Sequence, residues 1–123
     1  MASQFEAIAG SALGYSDDDT GSVTQATNKG TGVTLNKPSG VITMNNAALA
    51  AAAEVSFTVT NSEIAATDVV VVNHGSAGTA GSYLIAANTI AAGSFAITVS
   101  NVSGGSLSEA IVINFVALKG ASS

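Results

Sequence analysis

Ser94-Phe95-Ala96-Ile97-Thr98-Val99-Ser100, then Asn101-Val102-Ser103-Gly104-Gly105-Ser106, then Glu109-Ala110-Ile111-Val112-Ile113-Asn114-Phe115-Val116-Ala117-Leu118 is the stretch whose pattern decides the fold class. The first run alternates, with Phe95, Ile97 and Val99 on one side and Ser94, Thr98 and Ser100 on the other. A period of two belongs to a strand with one buried face. The middle run is rich in turn formers, so residues 92–119 are expected to form a long β-hairpin. The returning run is apolar on both faces, with Ile111, Ile113 and Phe115 on one and Val112, Val116 and Leu118 on the other. Such a strand lies in the centre of a sandwich or has its outer face covered by another subunit. Val112, Val116 and Leu118 are therefore the expected subunit contact.

Working outward, residues 54–61 show the cleanest alternation, with Val55, Phe57 and Val59 inward and Ser56, Thr58 and Thr60 outward. Asp68-Val69-Val70-Val71-Val72-Asn73 is apolar and β-branched throughout, which predicts a second central strand. Residues 74–81 read as a loop, 83–90 as a strand, and Ala91-Ala92-Gly93 as a turn. Nearer the N-terminus, 22–27, 32–36 and 41–44 read as short strands. Pro38, the single proline, falls between two of them, where its missing N–H costs no ladder bond. The Ala-rich run 45–53 has helix propensity, with Asn46 placed to cap it, but it is too short to stand alone. It is expected to be a loop or at most one helical turn. The count comes to about eight strands, with turn signals roughly every 8–12 residues. The expected fold is all-β, a single β-sandwich of jelly-roll topology with an N-terminal arm. Residues 1–22 form the arm and residues 23–120 the sandwich domain.

Composition supports one packed domain. The 123 residues suffice for a single core without covalent staples. Charged residues make up 9%, against about a quarter in typical domains, and hydrophobic residues 47%. Disorder needs the opposite balance, so this composition suits close-packed β-structure whose surface is partly covered. The net charge of −5, with only Lys29, Lys37 and Lys119 to meet phosphates, argues against a nucleic-acid partner. With no cysteine there is no disulfide framework, which fits assembly in a reducing cytosol. No apolar run approaches a membrane span, and no Lys or Arg precedes Lys29 to make the basic start of a secretory signal.

Catalytic signatures are sparse. Asp17-Asp18-Asp19 lacks the alternate spacing and closing Glu of a calcium loop and reads as a solvated linker. His74 is the one histidine, and Ser76 beside it has no strand-to-helix elbow and no G-x-S-x-G. A zinc site built on His74 would need carboxylates to complete it. Gly75-Ser76-Ala77-Gly78 has the composition of a phosphate loop without its lysine or its helix. Asn101-Val102-Ser103 matches a glycosylation sequon at chance level. With no Trp, and only Tyr15 and Tyr83, there is no aromatic platform for sugars. The expectation is a protein that is not an enzyme and holds no cofactor or metal. In the arm, Phe5, Ile8 and Leu13 are spaced like a short amphipathic segment interrupted by Gly10 and Gly14, and would anchor it on a neighbour.

The run Gly32-Val33-Thr34-Leu35-Asn36-Lys37-Pro38-Ser39-Gly40-Val41-Ile42-Thr43-Met44 resembles small β-sandwich virion structural proteins of tailed bacteriophages, of the head decoration (cement) type or associated with the tail. The runs Val55-Ser56-Phe57-Thr58-Val59-Thr60-Asn61-Ser62, Asp68-Val69-Val70-Val71-Val72-Asn73 and Val102-Ser103-Gly104-Gly105-Ser106-Leu107-Ser108-Glu109-Ala110 are similar to them too. The likeness covers residues 23–119, and its motifs are structural rather than catalytic. It implies a capsid decoration subunit, assembled in the host bacterial cytoplasm, that binds the major capsid protein and stabilises the head shell as a homotrimer. Phe5, Ile8 and Leu13 would be the capsid-binding arm, and Val112, Val116 and Leu118 the subunit interface. Such a protein binds many equivalent sites without chemistry, by reusing one patch per subunit around a symmetry axis. The alternative is a tail-fibre or tail-associated module in attachment or receptor binding, using the loop 74–81. A non-viral adhesin or surface-layer module is a third reading, and it would want an export signal.

Overall fold

The computed structural model describes Glu6, Ala7 and residues 13–120. A two-residue antiparallel pair, β1 (Glu6–Ala7) and β2 (Leu13–Gly14), precedes a 3-10 turn at Asp17–Asp19. Eight strands follow: β3 (Thr20–Thr24), β4 (Val33–Thr34), β5 (Ser39–Thr43), β6 (Glu54–Thr60), β7 (Val69–Ser76), β8 (Tyr83–Ala91), β9 (Ser94–Asn101) and β10 (Val112–Leu118). They form two four-stranded sheets, ordered β3-β5-β10-β7 and β4-β6-β9-β8, that pack face to face as a β-sandwich. The alternation seen in the sequence becomes burial. Phe57 and Val59 of β6 and Phe95, Ile97 and Val99 of β9 face Ile42 of β5 and Ile113 and Phe115 of β10 across the interior. The rings of Phe95 and Phe115 lie 5.5 Å apart at 56°, joining the two sheets near their middle. Each buried Phe is worth about 1.5–3 kcal/mol of transfer from water.

The expected hairpin over 92–119 does not form. β9 pairs with β6 and β8, whereas β10 pairs with β5 and β7 in the opposite sheet. The reason lies in Asn101, which is fully buried at the end of β9. Its side-chain amide donates to the carbonyls of Leu49 and Gly105, and its side-chain oxygen accepts from the N–H and hydroxyl of Ser103. The next segment then bridges Leu107 to Leu49 by two backbone bonds of 2.8 and 3.0 Å. Residues 102–111 are thus spent crossing to the other sheet. The Ala-rich run that supplies Leu49 is a loop with a turn and no helix, as expected.

β7 is a further correction. Its unbroken valines predicted a central strand, yet it is the edge of its sheet, bonded only to β10. Val69 and Val71 are consequently 56% and 47% exposed. An apolar run records the solvent to which a strand is suited, not the number of neighbours one chain provides. The jelly-roll topology is not established by these strand orders, because each sheet has a parallel pair at one edge, β3 with β5 and β4 with β6. Close approach permits the first pair: a Cβ on Gly40 would lie 2.6 Å from Leu35 Cδ2 and 2.8 Å from the Gly21 carbonyl oxygen. β3 joins the sandwich from Thr20 onward, and the Tyr15 hydroxyl, upstream of it, donates to the Ala117 carbonyl.

Asp68, just before β7, has a buried carboxylate. It accepts from the Ala65 N–H at 2.9 Å and from Lys119 Nζ at 2.8 Å. Burial alone would raise its pKa. The Ala65 N–H, Lys119 and the Gly120 N–H together outweigh that and hold it below the usual carboxylate range. A folded-state pKa below the unfolded one stabilises the fold fully above the unfolded value, and that stability fades as pH falls through the folded value. Asp68→Ala is expected to cost about 1–3 kcal/mol at neutral pH. Urea denaturation should show the gap from wild type closing below the ordinary aspartate range.

Candidate functional site

Two places draw together the residues singled out in the sequence. The first is the outer face of the β3-β5-β10-β7 sheet. Here strand alternation turns Val112, Val116 and Leu118 away from the core, where they stand half-buried beside their cross-strand neighbours. The register sets Val116 against Val71 and Leu118 against Val69 on one side, and Val116 against Ser39 on the other. The outcome is an apolar strip on β10, central within its sheet, over which no described strand packs. Two of the three expected interface residues, Val116 and Leu118, thus share the strip with Val69 and Val71. The sequence reading missed these last two as interface residues because it assigned β7 to the interior. Val112 lies past the irregularity between Val112 and Ile113, opposite Ser76. Of the arm residues, Phe5 and Ile8 lie outside the described residues. Leu13 is described only in its backbone, which pairs with Ala7.

The second place is the end of the sandwich where β7 passes to β8. His74, expected in a loop, lies within β7, and only residues 77–82 connect the strands. Its ring meets Tyr83 edge-on at 5.6 Å. Its Nε2 is 2.5 Å from the Ala77 carbonyl oxygen; a carbonyl only accepts, so this nitrogen carries the proton. Glu109 holds the connection. Its Oε1 accepts from the Thr79 N–H at 2.9 Å and the Tyr83 hydroxyl at 2.7 Å, and its Oε2 from the Thr79 hydroxyl at 2.7 Å. Those three donors, the Tyr83 hydroxyl foremost, hold the Glu109 pKa below the usual range, against the opposing effect of burial. The Tyr83 hydroxyl is pushed up by its own burial and then by the Glu109 carboxylate. Gly78, at φ +78°, has no room for a side chain, because a Cβ would lie 2.6 Å from Ile111 Cγ2.

Beside this clamp, His74, Gly75, Ser76, Ala77, Gly78 and Ala80 line a shallow depression of about 150 Å³. Small-molecule sites usually enclose about 300–1,000 Å³, so this one suits at most a side chain or loop tip of a partner. Behind the clamp, the backbone of Glu109 is tied to Lys29, a lysine only 4% exposed. Its Nζ donates to the carbonyls of Asn45 and Glu109. Burial lowers the Lys29 pKa, and the Glu109 charge partly offsets this. Among the described residues, no group of three or more His, Asp or Glu could hold a metal ion. Comparison with family models, with curated proteins and with solved structures found no match.

The clamp makes a checkable statement about order. Glu109→Ala removes both acceptor oxygens and with them all three bonds. Amide hydrogen exchange of residues 77–82 is expected to speed up in that variant while the strands keep their protection. Tyr83→Phe, which removes a single bond, should give a smaller change in the same direction. Unaltered exchange in Glu109→Ala would mean that the connection is held by packing alone.

Proposed function

We propose that this chain is a non-catalytic virion structural protein of a tailed bacteriophage, a decoration subunit that self-associates and binds the major capsid protein on the head shell. The single observation that carries the reading is the apolar strip of Val69, Val71, Val116 and Leu118 on an outer sheet face. Monomeric proteins rarely leave such residues contiguous and uncovered. The likeness of residues 23–119 to phage virion proteins gives that strip a setting, the crowded surface of a particle. There a low-charge sandwich reuses one patch at every site, and many modest contacts add up to firm attachment. The second reading, a tail-associated attachment module, draws on the preset connection at residues 77–82, which Glu109 holds at the sandwich end.

Immunogold labelling of intact virions of the phage that encodes this chain separates the two. Gold spread over the head is the expected result. Gold confined to the tail would transfer the proposal to the second reading, and bare particles would overturn both. Independently, Val116→Asp places a carboxylate in the middle of the strip. It is expected to lower the mass of the assembled protein in light scattering, and an unchanged mass would remove Val116 from the contact.

A further inference from the structure

We propose that the buried Lys29 is a positioning residue for the connection at residues 77–82, which it reaches through Glu109, so that this connection and the loop beginning at Asn45 order and loosen together. The inference concerns how one end of the sandwich is held, and it stands whichever partner that end meets.

Its starting point is the place of Lys29. The residue sits in a turn closed by the Thr31 N–H on the Asn28 carbonyl at 3.2 Å and by the Gly30 N–H on Asn28 Oδ1 at 2.8 Å. A lysine in such a turn ordinarily extends into water, yet this one is buried. Its carbonyl is taken by Gln25 Nε2 at 2.9 Å, and Gln25, buried as well, accepts the Asn45 N–H on its Oε1 at 2.9 Å. With the backbone fixed in this way, Nζ donates to the carbonyls of Asn45 and Glu109. A buried ammonium is costly unless it is hydrogen-bonded, so Lys29 needs both carbonyls where they stand.

Glu109 depends on the same bond. Leu107 is fixed by its bridge to Leu49, and the Ile111 carbonyl by the Met44 N–H at 2.8 Å. Between these two points Glu109 has no strand partner. Lys29 holds its carbonyl on one side, and its carboxylate holds Thr79 and Tyr83 on the other. The aim of the carboxylate therefore follows the seat of a backbone that is tied to a residue 80 positions away. Charge acts in the same direction, because the Glu109 carboxylate offsets part of the cost of burying the Lys29 ammonium. Among the described residues, no hydrogen bond joins Lys29 to residues 77–82 directly, so its hold on them runs through Glu109. Such coupling is reciprocal, and Glu109 in turn steadies the loop at Asn45.

Amide hydrogen exchange of the full-length chain, with the buried strand β9 as internal reference, tests the proposal. Lys29→Met nearly keeps the length of the side chain and removes its donors. Exchange across residues 77–82 is expected to speed up roughly 2- to 10-fold relative to β9, as for the loss of one hydrogen bond. A merely structural role for Lys29 would speed all regions alike. Glu109→Ala should give the converse effect, faster exchange at the Asn45 and Ala47 amides, which bond to Gln25 Oε1 and Asn45 Oδ1 and not to Glu109. In the double variant, residues 77–82 should exchange no faster relative to β9 than in Glu109→Ala alone, since the link is already cut. Where Lys29→Met does not fold by circular dichroism, the Asn45 and Ala47 amides in Glu109→Ala decide the matter. Unchanged residues 77–82 in a folded Lys29→Met, additive effects in the double variant, or unchanged Asn45 and Ala47 amides in Glu109→Ala would each overturn the proposal.

Discussion

The contact between Phe95 and Phe115 is the constraint on which the rest of the sandwich depends. These rings come from strands that are consecutive in the chain but lie in opposite sheets. Each strand is central in its own sheet: β9 between β6 and β8, β10 between β5 and β7. Joining them across the interior therefore joins the middles of the two layers, and every other strand is added outward from that seam. Interiors packed at crystal-like density leave no slack at such a point. The slot that takes the Phe115 ring shows this, since a Cβ on Gly40 would come within 3.0 Å of Phe115 Cε1.

A few charged and amide side chains, most of them buried, are used as ties between segments. Lys29 joins the loop at Asn45 to the segment at Glu109, and Glu109 joins that segment to Thr79 and Tyr83. Asn61 holds the Lys37 carbonyl, as Asn101 holds those of Leu49 and Gly105. No buried side-chain nitrogen or oxygen among the described residues is left without a partner. In a chain only 9% charged, polar groups inside are affordable only where each replaces the water a loop carbonyl or N–H has lost. The ends of the sandwich are consequently set by hydrogen bonds and its middle by apolar contact.

The candidate contact surface was partly legible beforehand. The two-faced apolarity of β10 pointed to Val116 and Leu118, which do lie on the outer sheet face, with no described strand packed over them. Val69 and Val71 escaped because a β-branched run reads alike in a central strand and in an edge strand. Glu109 escaped too, since nothing local in the sequence distinguishes a loop carboxylate from one that gathers three donors brought from residues 79 and 83.

What the sequence determined by itself was the approximate set of strands and, where residues alternate, the side that faces inward. Period-two alternation is a local property, so it survives whatever partners a strand acquires: Val59 and Ile97 are buried as their alternation demands, and the turn at Ala91-Ala92-Gly93 falls where it was read. The tertiary structure alone decided which strands are neighbours. Pairing is a competition among distant segments for the same hydrogen-bonding groups, and its outcome here turned on the buried amide of Asn101, which sends β10 to the opposite sheet. That crossing places β10 between β5 and β7 and leaves β7 as the last strand of its sheet.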